Sequence, residues 1–150
     1  APINFLSMDA IREIYELLSE KYQLVYNRPL KSFIVNDGSD IVELNDYEYL
    51  KRNCQGIVNA NDLFKEHIDE FNNFNHFQLS LYANSDRFIS VHGGGAVLAS
   101  YFGGINTIYS VKGIELHFNE FETIFPKLSD AMIIHVDSYE KLLNKIQEWY

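Results

Sequence analysis

Residues 87–104, RFISVHGGGAVLASYFGG, constrain what this chain can fold into more than any other stretch. A short apolar run, Phe88 to Val91, follows the turn residues Asn84, Ser85 and Asp86, and three consecutive glycines, Gly93 to Gly95, interrupt it. Ala96, Val97, Ala99, Ser100 and Tyr101 come next at helical spacing, and Gly103 and Gly104 close the segment. The pattern predicts a buried strand, a tight glycine turn, a helix packed on that strand and a helix stop. Glycine at a strand-to-helix turn lets a ligand approach the backbone, and the first N–H groups of a helix suit a phosphate. The competing reading is a turn whose glycines only let helix and strand pack closely, and a glycine turn alone does not separate the two.

Either side of this segment the chain alternates between short apolar runs and amphipathic ones. Ser7 is placed to cap a helix from Met8 to Tyr22, with Ile11, Ile14, Tyr15, Leu18 and Tyr22 on one stripe. Gln23 to Tyr26 reads as a strand ending at Asn27, Arg28 and Pro29. Ser32 to Leu44 reads as a hairpin about Asp37-Gly38, or as a long loop. Asp46 then caps a helix over Tyr47 to Arg52, Gly56 to Asn59 is a strand, and Asn61 or Asp62 starts a helix over Leu63 to Asp69. Glu70 to His76 is polar and asparagine-rich, which predicts a loop before a helix over Phe77 to Ala83. Asn106 to Ser110 and Met132 to Val136 are further strands. Between them Phe118 to Phe125 is a helix with Pro126 at its end. Asp137 or Ser138 caps the last helix, Tyr139 to Trp149.

Strands alternating with helices, without clean polar alternation inside the strands, predict an α/β fold. The expectation is a single Rossmann-like domain over residues 1–150, a parallel sheet of about five strands with helices on both faces. Such sheets bind ligands at the carboxyl ends of their strands. The candidate residues are therefore Asn27 and Arg28, Asn59 and Asn61, His92 to Gly95, Val111 to Glu115, and Asp137. The planar fork of Arg28 suits a diphosphate, with Lys31 a weaker version of the same idea. The alternative for Arg28 is a pairing with one of the many carboxylates. His92 is placed to touch a phosphate or give a proton, or else to serve as a structural hydrogen-bonding group. Lys112 and Glu115 follow a strand, where a carboxylate can take ribose hydroxyls, against the reading of a solvated loop pair. Phe71, Phe74, Phe77, Tyr82, Tyr101 and Phe102 are expected in the core rather than stacked on bases.

Composition narrows the function classes. A chain of 150 residues with 47% hydrophobic content can bury one sizeable core. A net charge of −9 disfavours nonspecific nucleic-acid or anionic-membrane binding, although it leaves room for a local phosphate site. The single cysteine, Cys54, allows no internal disulfide and fits a reducing, cytoplasmic setting. No zinc-ligand spacing, membrane-length apolar run or signal peptide appears in the sequence. Ala1 and Pro2 read as a boundary, so that a single domain cut from a longer protein is expected. No Ser-His-Asp, Cys-His or paired-carboxylate arrangement can be read, nor a Walker sequence or a dinucleotide fingerprint.

The runs VYNRP at Val25 to Pro29, FQLSLYANSDRFISVHGGGAVLASYFGG at Phe77 to Gly104 and TIYSVKGIEL at Thr107 to Leu116 resemble the C-terminal half of a GT-B glycosyltransferase. Residues 20 to 150 are similar to sugar transferases of bacterial surface polysaccharides and large DNA viruses, and the layout is similar to the donor half of heptosyltransferases. The resemblance implies a domain that holds a nucleotide sugar, the donor substrate, with no metal or other cofactor. Gly93, Gly94 and Gly95 would meet the diphosphate, Arg28 would sit beside them, and Glu115 would take the ribose. A glycan acceptor and an N-terminal GT-B half, absent from this sequence, are the implied partners. Two further readings stay open: a nonenzymatic nucleotide or sugar-phosphate binding module, and a nucleotide-sugar epimerase of the same architecture.

Overall fold

A computed structural model of the chain describes residues 4–30, 32, 44–112 and 119–150. The Asp37-Gly38 turn, Lys31 and Glu115 lie outside the described residues. The fold is α/β, with five parallel strands among the described residues. They pair as a two-stranded and a three-stranded sheet rather than as one continuous ladder. The residues group into two compact units, Met8–Leu81, and Ala1–Ser7 together with Tyr82–Tyr150.

In the Met8–Leu81 unit, helix α1 (Met8–Leu18) buries Ala10, Ile11, Ile14 and Leu18, most of the expected stripe. It stops at Leu18 rather than Tyr22, because the Leu18 carbonyl takes the N–H groups of both Lys21 and Tyr22 in a closing turn. Strand β1 (Val25–Tyr26) pairs with β2 (Val58–Asn59), Val25 opposite Val58. Between them α2 (Asp46–Asn53) begins with Asp46 inside the helix instead of capping it. Helix α3 (Ala60–Glu66) starts earlier than Asn61, since the Asn59 side chain accepts the Asn61 N–H at 2.9 Å and caps it. Helix α4 (Phe74–Ala83) likewise begins inside the stretch expected to be a loop. Asn73 Oδ1 accepts the His76 N–H at 2.9 Å, so an asparagine that looks like a loop residue fixes the helix start. Burial favours that start: Phe64 meets Phe74 edge-on at 5.4 Å and lies 5.5 Å from Phe77, with Ala60 packed into the same cluster.

The second unit holds β3 (Arg87–Val91), α5 (Gly94–Ser100), β4 (Ile105–Tyr109), α6 (Glu120–Ser129), β5 (Met132–Val136) and α7 (Tyr139–Trp149). Strand β4 is central, with Asn106 opposite Phe88 and Ile133, and Thr107 opposite Ile89 and Ile134. Successive side chains on a strand point to opposite faces, which assigns the layers. On one face Ile108 packs with Ala96 of α5, with Phe121 and Phe125 of α6, and with Ala131. Asn106 on the same face is fully buried, and its amide donates to Ser100 Oγ at 2.9 Å and the Ala96 carbonyl at 3.3 Å. On the other face Tyr109 stacks on Tyr139 of α7 at 4.8 Å, and Leu142 and Ile146 are completely buried. There the Tyr150 hydroxyl donates to the Phe88 carbonyl at 2.6 Å and accepts the Thr107 N–H at 3.2 Å. Helices thus cover both faces of this sheet, as expected for parallel strands.

Two local expectations are corrected here. Pro126 lies inside α6, not at its end, and the helix continues to Ser129. Phe121 and Phe125, both ahead of the proline, are buried, and beyond it the Ser129 hydroxyl donates to the carbonyls of Phe125 at 3.0 Å and Ser100 at 2.6 Å. Tyr101, expected in the core, is 56% exposed. The expected cap of α7 is present, with Ser138 Oγ accepting the Lys141 N–H at 3.2 Å.

Gly103 and Gly104 are structural. Both have positive φ, and a Cβ on Gly104 would lie 2.2 Å from the Asp86 carbonyl oxygen. The Asp86 carbonyl accepts the Ile105 N–H at 3.0 Å, and the Gly104 carbonyl accepts the Met132 N–H at 2.8 Å, so this corner ties together the starts of all three strands. Gly104→Ala is expected to lower stability by more than about 1 kcal/mol, read as a reduced urea midpoint; an unchanged midpoint would contradict the geometry.

Candidate functional site

The turn after β3 is built differently. The His92 N–H donates to the Tyr109 carbonyl at 2.9 Å, extending the ladder one residue beyond the strand. Gly93 then takes φ 148°, a conformation that L side chains rarely adopt. Its carbonyl accepts the N–H groups of Ala96 at 3.0 Å and Val97 at 3.2 Å and so starts α5. Gly94 and Gly95 have no such backbone need, and a Cβ built on either meets nothing within 4 Å among the described residues. All three glycines are exposed. Close packing of helix and strand is therefore not what requires Gly94 and Gly95. Helix α5 has only seven residues, so accessible backbone rather than a large dipole is what the turn offers.

The sequence-predicted residues His92, Gly93, Gly94 and Gly95 thus form one contiguous corner at the carboxyl end of β3. His92 is half-buried, with its ring edge-on to Phe121 at 5.5 Å. An open groove of about 280 Å³ begins at this corner and runs between α5 and α6, past Val97, Tyr101 and Ile124. Lys112 lies beyond the carboxyl end of β4 and is exposed. Asn4 holds the backbone there: its Oδ1 accepts the N–H groups of Val111 at 2.8 Å and Lys112 at 3.3 Å, and its Nδ2 donates to the Lys112 carbonyl at 2.7 Å. Nearby, the Tyr139 hydroxyl accepts the Ser7 N–H at 3.1 Å and donates to the Phe5 carbonyl at 2.8 Å. Residues 4–7 are thereby strapped along the carboxyl ends of β4 and β5. No spacing in the sequence marks Asn4 for this task. Asp137 forms an exposed pair with Lys141 at 2.7 Å, and that hydrogen bond lowers its carboxyl pKa.

Arg28 belongs to the Met8–Leu81 unit and sits in a polar network after β1. Its Nη1 donates to both oxygens of Asp46, at 3.0 and 2.9 Å, and the Asp46 side chain is 1% exposed. Tyr26 donates to the same carboxylate at 2.7 Å. Burial first, then the hydrogen bond to Asp46 and its negative charge, push the Tyr26 phenol above the ordinary tyrosine range, so it remains a donor. The Arg28 carbonyl accepts from the Tyr47 hydroxyl and from Asn61 Nδ2, and Asn61 Oδ1 accepts the Leu30 N–H at 3.0 Å. Arg28, Asp46, Tyr47 and Asn61 therefore fix the path of the chain leaving β1. A phosphate at Arg28 would compete with Asp46 for its Nη1. Asp46 was legible only as a cap, because a carboxylate at a helix start ordinarily serves the helix. Among the described residues no group of three or more His, Cys, Asp or Glu side chains could hold a metal ion. None of their helices is long and apolar enough to cross a membrane.

No family model matches the sequence, and no curated protein or solved structure is similar enough to count as a match.

Removing one partner of a buried ion pair leaves the other charge uncompensated. Asp46→Asn is expected to destabilise the fold by about 3 kcal/mol, measured by chemical denaturation. A variant within experimental error of the parent would show that the network carries no weight.

Proposed function

We propose that this chain is the nucleotide-sugar-binding domain of a metal-independent, GT-B-type glycosyltransferase, which passes a sugar from a nucleotide diphosphate to a glycan acceptor held by another domain. The observation that carries the reading is the open space over Gly94 and Gly95. Glycine within a helix costs about 1 kcal/mol relative to alanine, and nothing among the described residues requires the absence of a side chain at either position. A ligand drawn close against the backbone does require it. The corner lies at the carboxyl end of a parallel strand, where α/β sheets receive ligands. The sequence resemblance supports the same assignment.

The chemistry follows from where charge develops. As the glycosidic bond to the donor breaks, the departing nucleotide diphosphate gains negative charge. N–H donors already fixed in position lower that barrier because they need no reorganisation. Gly93, Gly94 and Gly95 are the backbone donors of the proposal, and His92 stands beside them. Lys112 and Glu115 are assigned to the outer part of the donor. The proposal places the domain in the cytoplasm, where the lone buried Cys54 stays reduced.

Thermal shifts with UDP-, GDP-, ADP- and dTDP-sugars test the reading. At least one is expected to raise Tm. The Gly94→Ala/Gly95→Ala double variant is expected to keep or exceed the parent stability, by up to about 1 kcal/mol per site, while losing that ligand-induced shift. A double variant that binds the same donor as tightly as the parent would refute the assignment. Release of free sugar from the bound donor separates a transferase from a module that only binds.

A further inference from the structure

The carboxyl edge of the three-stranded sheet carries a second feature besides the glycine corner. The ladder there ends with the His92 N–H on the Tyr109 carbonyl and the Ser110 N–H on the Val136 carbonyl, each at 2.9 Å. The next two N–H groups of the chain, those of Val111 and Lys112, converge instead on one atom, Asn4 Oδ1, at 2.8 and 3.3 Å. Successive N–H groups aimed at a single oxygen make a concavity that suits an anion. Here a side-chain amide supplies the oxygen, so a neutral group sits where a charged one would be held more strongly. Val111 and Lys112 are both exposed, which places this cradle at the surface.

The segment that carries Asn4 is held by bonds that open readily. Asn4 Nδ2 donates to the Lys112 carbonyl at 2.7 Å, and the Tyr139 hydroxyl donates to the Phe5 carbonyl at 2.8 Å and accepts the Ser7 N–H at 3.1 Å. Only the bond from Ser7 is part-buried, and the others are exposed. An exposed hydrogen bond exchanges for water at small net cost. Phe5 is itself 38% exposed, so its side chain does not anchor the segment in a core. Tyr139, in contrast, is stacked on Tyr109 at 4.8 Å and keeps its place whether or not residues 4–7 are docked.

We infer that residues 4–7 are an intrachain competitor, whose docked state fills the Val111–Lys112 cradle with Asn4 and must be displaced by an anionic ligand reaching the carboxyl end of β4. The inference rests on the donor-binding reading for the identity of that ligand, a nucleotide diphosphate, and adds to it a means by which the chain holds its own affinity down. The Lys112 ammonium gives an anion an attraction that the neutral Asn4 does not share. Apparent affinity then scales with the fraction of molecules in which the segment is undocked.

The test titrates the parent, Asn4→Ala and Tyr139→Phe with inorganic pyrophosphate and with UDP, GDP, ADP and dTDP. Backbone amides of Ser7, Gly93 to Gly95, Val111 and Lys112 are followed by NMR and hydrogen exchange. Tyr139→Phe retains the ring on Tyr109 and removes only the hydroxyl. Each variant is expected to bind at least one of these anions about fivefold more tightly than the parent, the factor that loss of one exposed hydrogen bond gives, despite a slightly lower Tm. Saturation of the parent is expected to protect the Val111 and Lys112 amides and to deprotect that of Ser7. A segment that only stabilises the fold predicts equal or weaker binding in both variants and a Ser7 amide that stays protected, and either result would overturn the inference. If affinity is unchanged in the variants while the glycine amides respond, the competitor falls and the donor reading stands. If binding tightens in the variants and moves Val111 and Lys112 but not the glycines, the competitor stands and the donor reading falls. No response from any of these amides, in parent or variants, overturns both.

Discussion

The three-stranded sheet depends on one close approach, that of the Gly104 backbone to the Asp86 carbonyl. A side chain at position 104 would occupy the space of that oxygen. With glycine there, Asp86 pairs with Ile105 and Gly104 pairs with Met132, and the starts of β3, β4 and β5 are aligned. Register has unusual consequences in this sheet. A slip by one residue would exchange Asn106 and Thr107 between faces. Asn106 would lose Ser100 and Ala96, and Thr107 would lose Tyr150. Buried polar groups left without partners are costly, so these contacts penalise every alternative register.

The glycines of a single 18-residue segment serve opposite physical ends. At the helix end, Gly103 and Gly104 are filled in by neighbouring backbone, and the conformation itself excludes other residues. At the helix start, no described residue stands over Gly94 or Gly95, and both belong to the first turn of the helix. The same residue type thus answers an internal demand in one place and leaves room for an external one in the other. That contrast, more than the presence of a glycine turn, separates the ligand-binding reading from a packing role.

Alternation of short apolar runs with amphipathic ones made the α/β class legible, and from Phe88 to Gly104 the strand, glycine turn, helix and stop follow in the predicted order, although Tyr101 is exposed and only Phe88 of the strand is fully buried. The cap at Ser138 was legible for the same reason: side chain and backbone lie within a few residues of each other. Where long-range burial decides, local signals mislead. Pro126 reads as a helix end, yet Phe121 and Phe125 anchor the helix in the core ahead of it and the Ser129 hydroxyl ties down the turn beyond it. Asn73 reads as loop, yet Phe74 and Phe77 find Phe64 and draw the helix start back to it. Asp46 reads as a cap, yet Arg28 and Tyr26, distant in sequence, take its carboxylate. The glycine corner could be located from sequence, but the open direction of its Cβ positions and the exposure of Tyr101 required coordinates.

The strap formed by Asn4, Phe5 and Ser7 has a consequence for biosynthesis. Asn4 is made 108 positions ahead of Lys112, and Phe5 134 positions ahead of Tyr139. Translation therefore delivers the whole Met8–Leu81 stretch before these residues meet their hydrogen-bond partners. Closure of the strap is therefore a long-range event, and a chain cut between the two stretches would keep every strand and helix of the later unit while losing the strap's covalent tether.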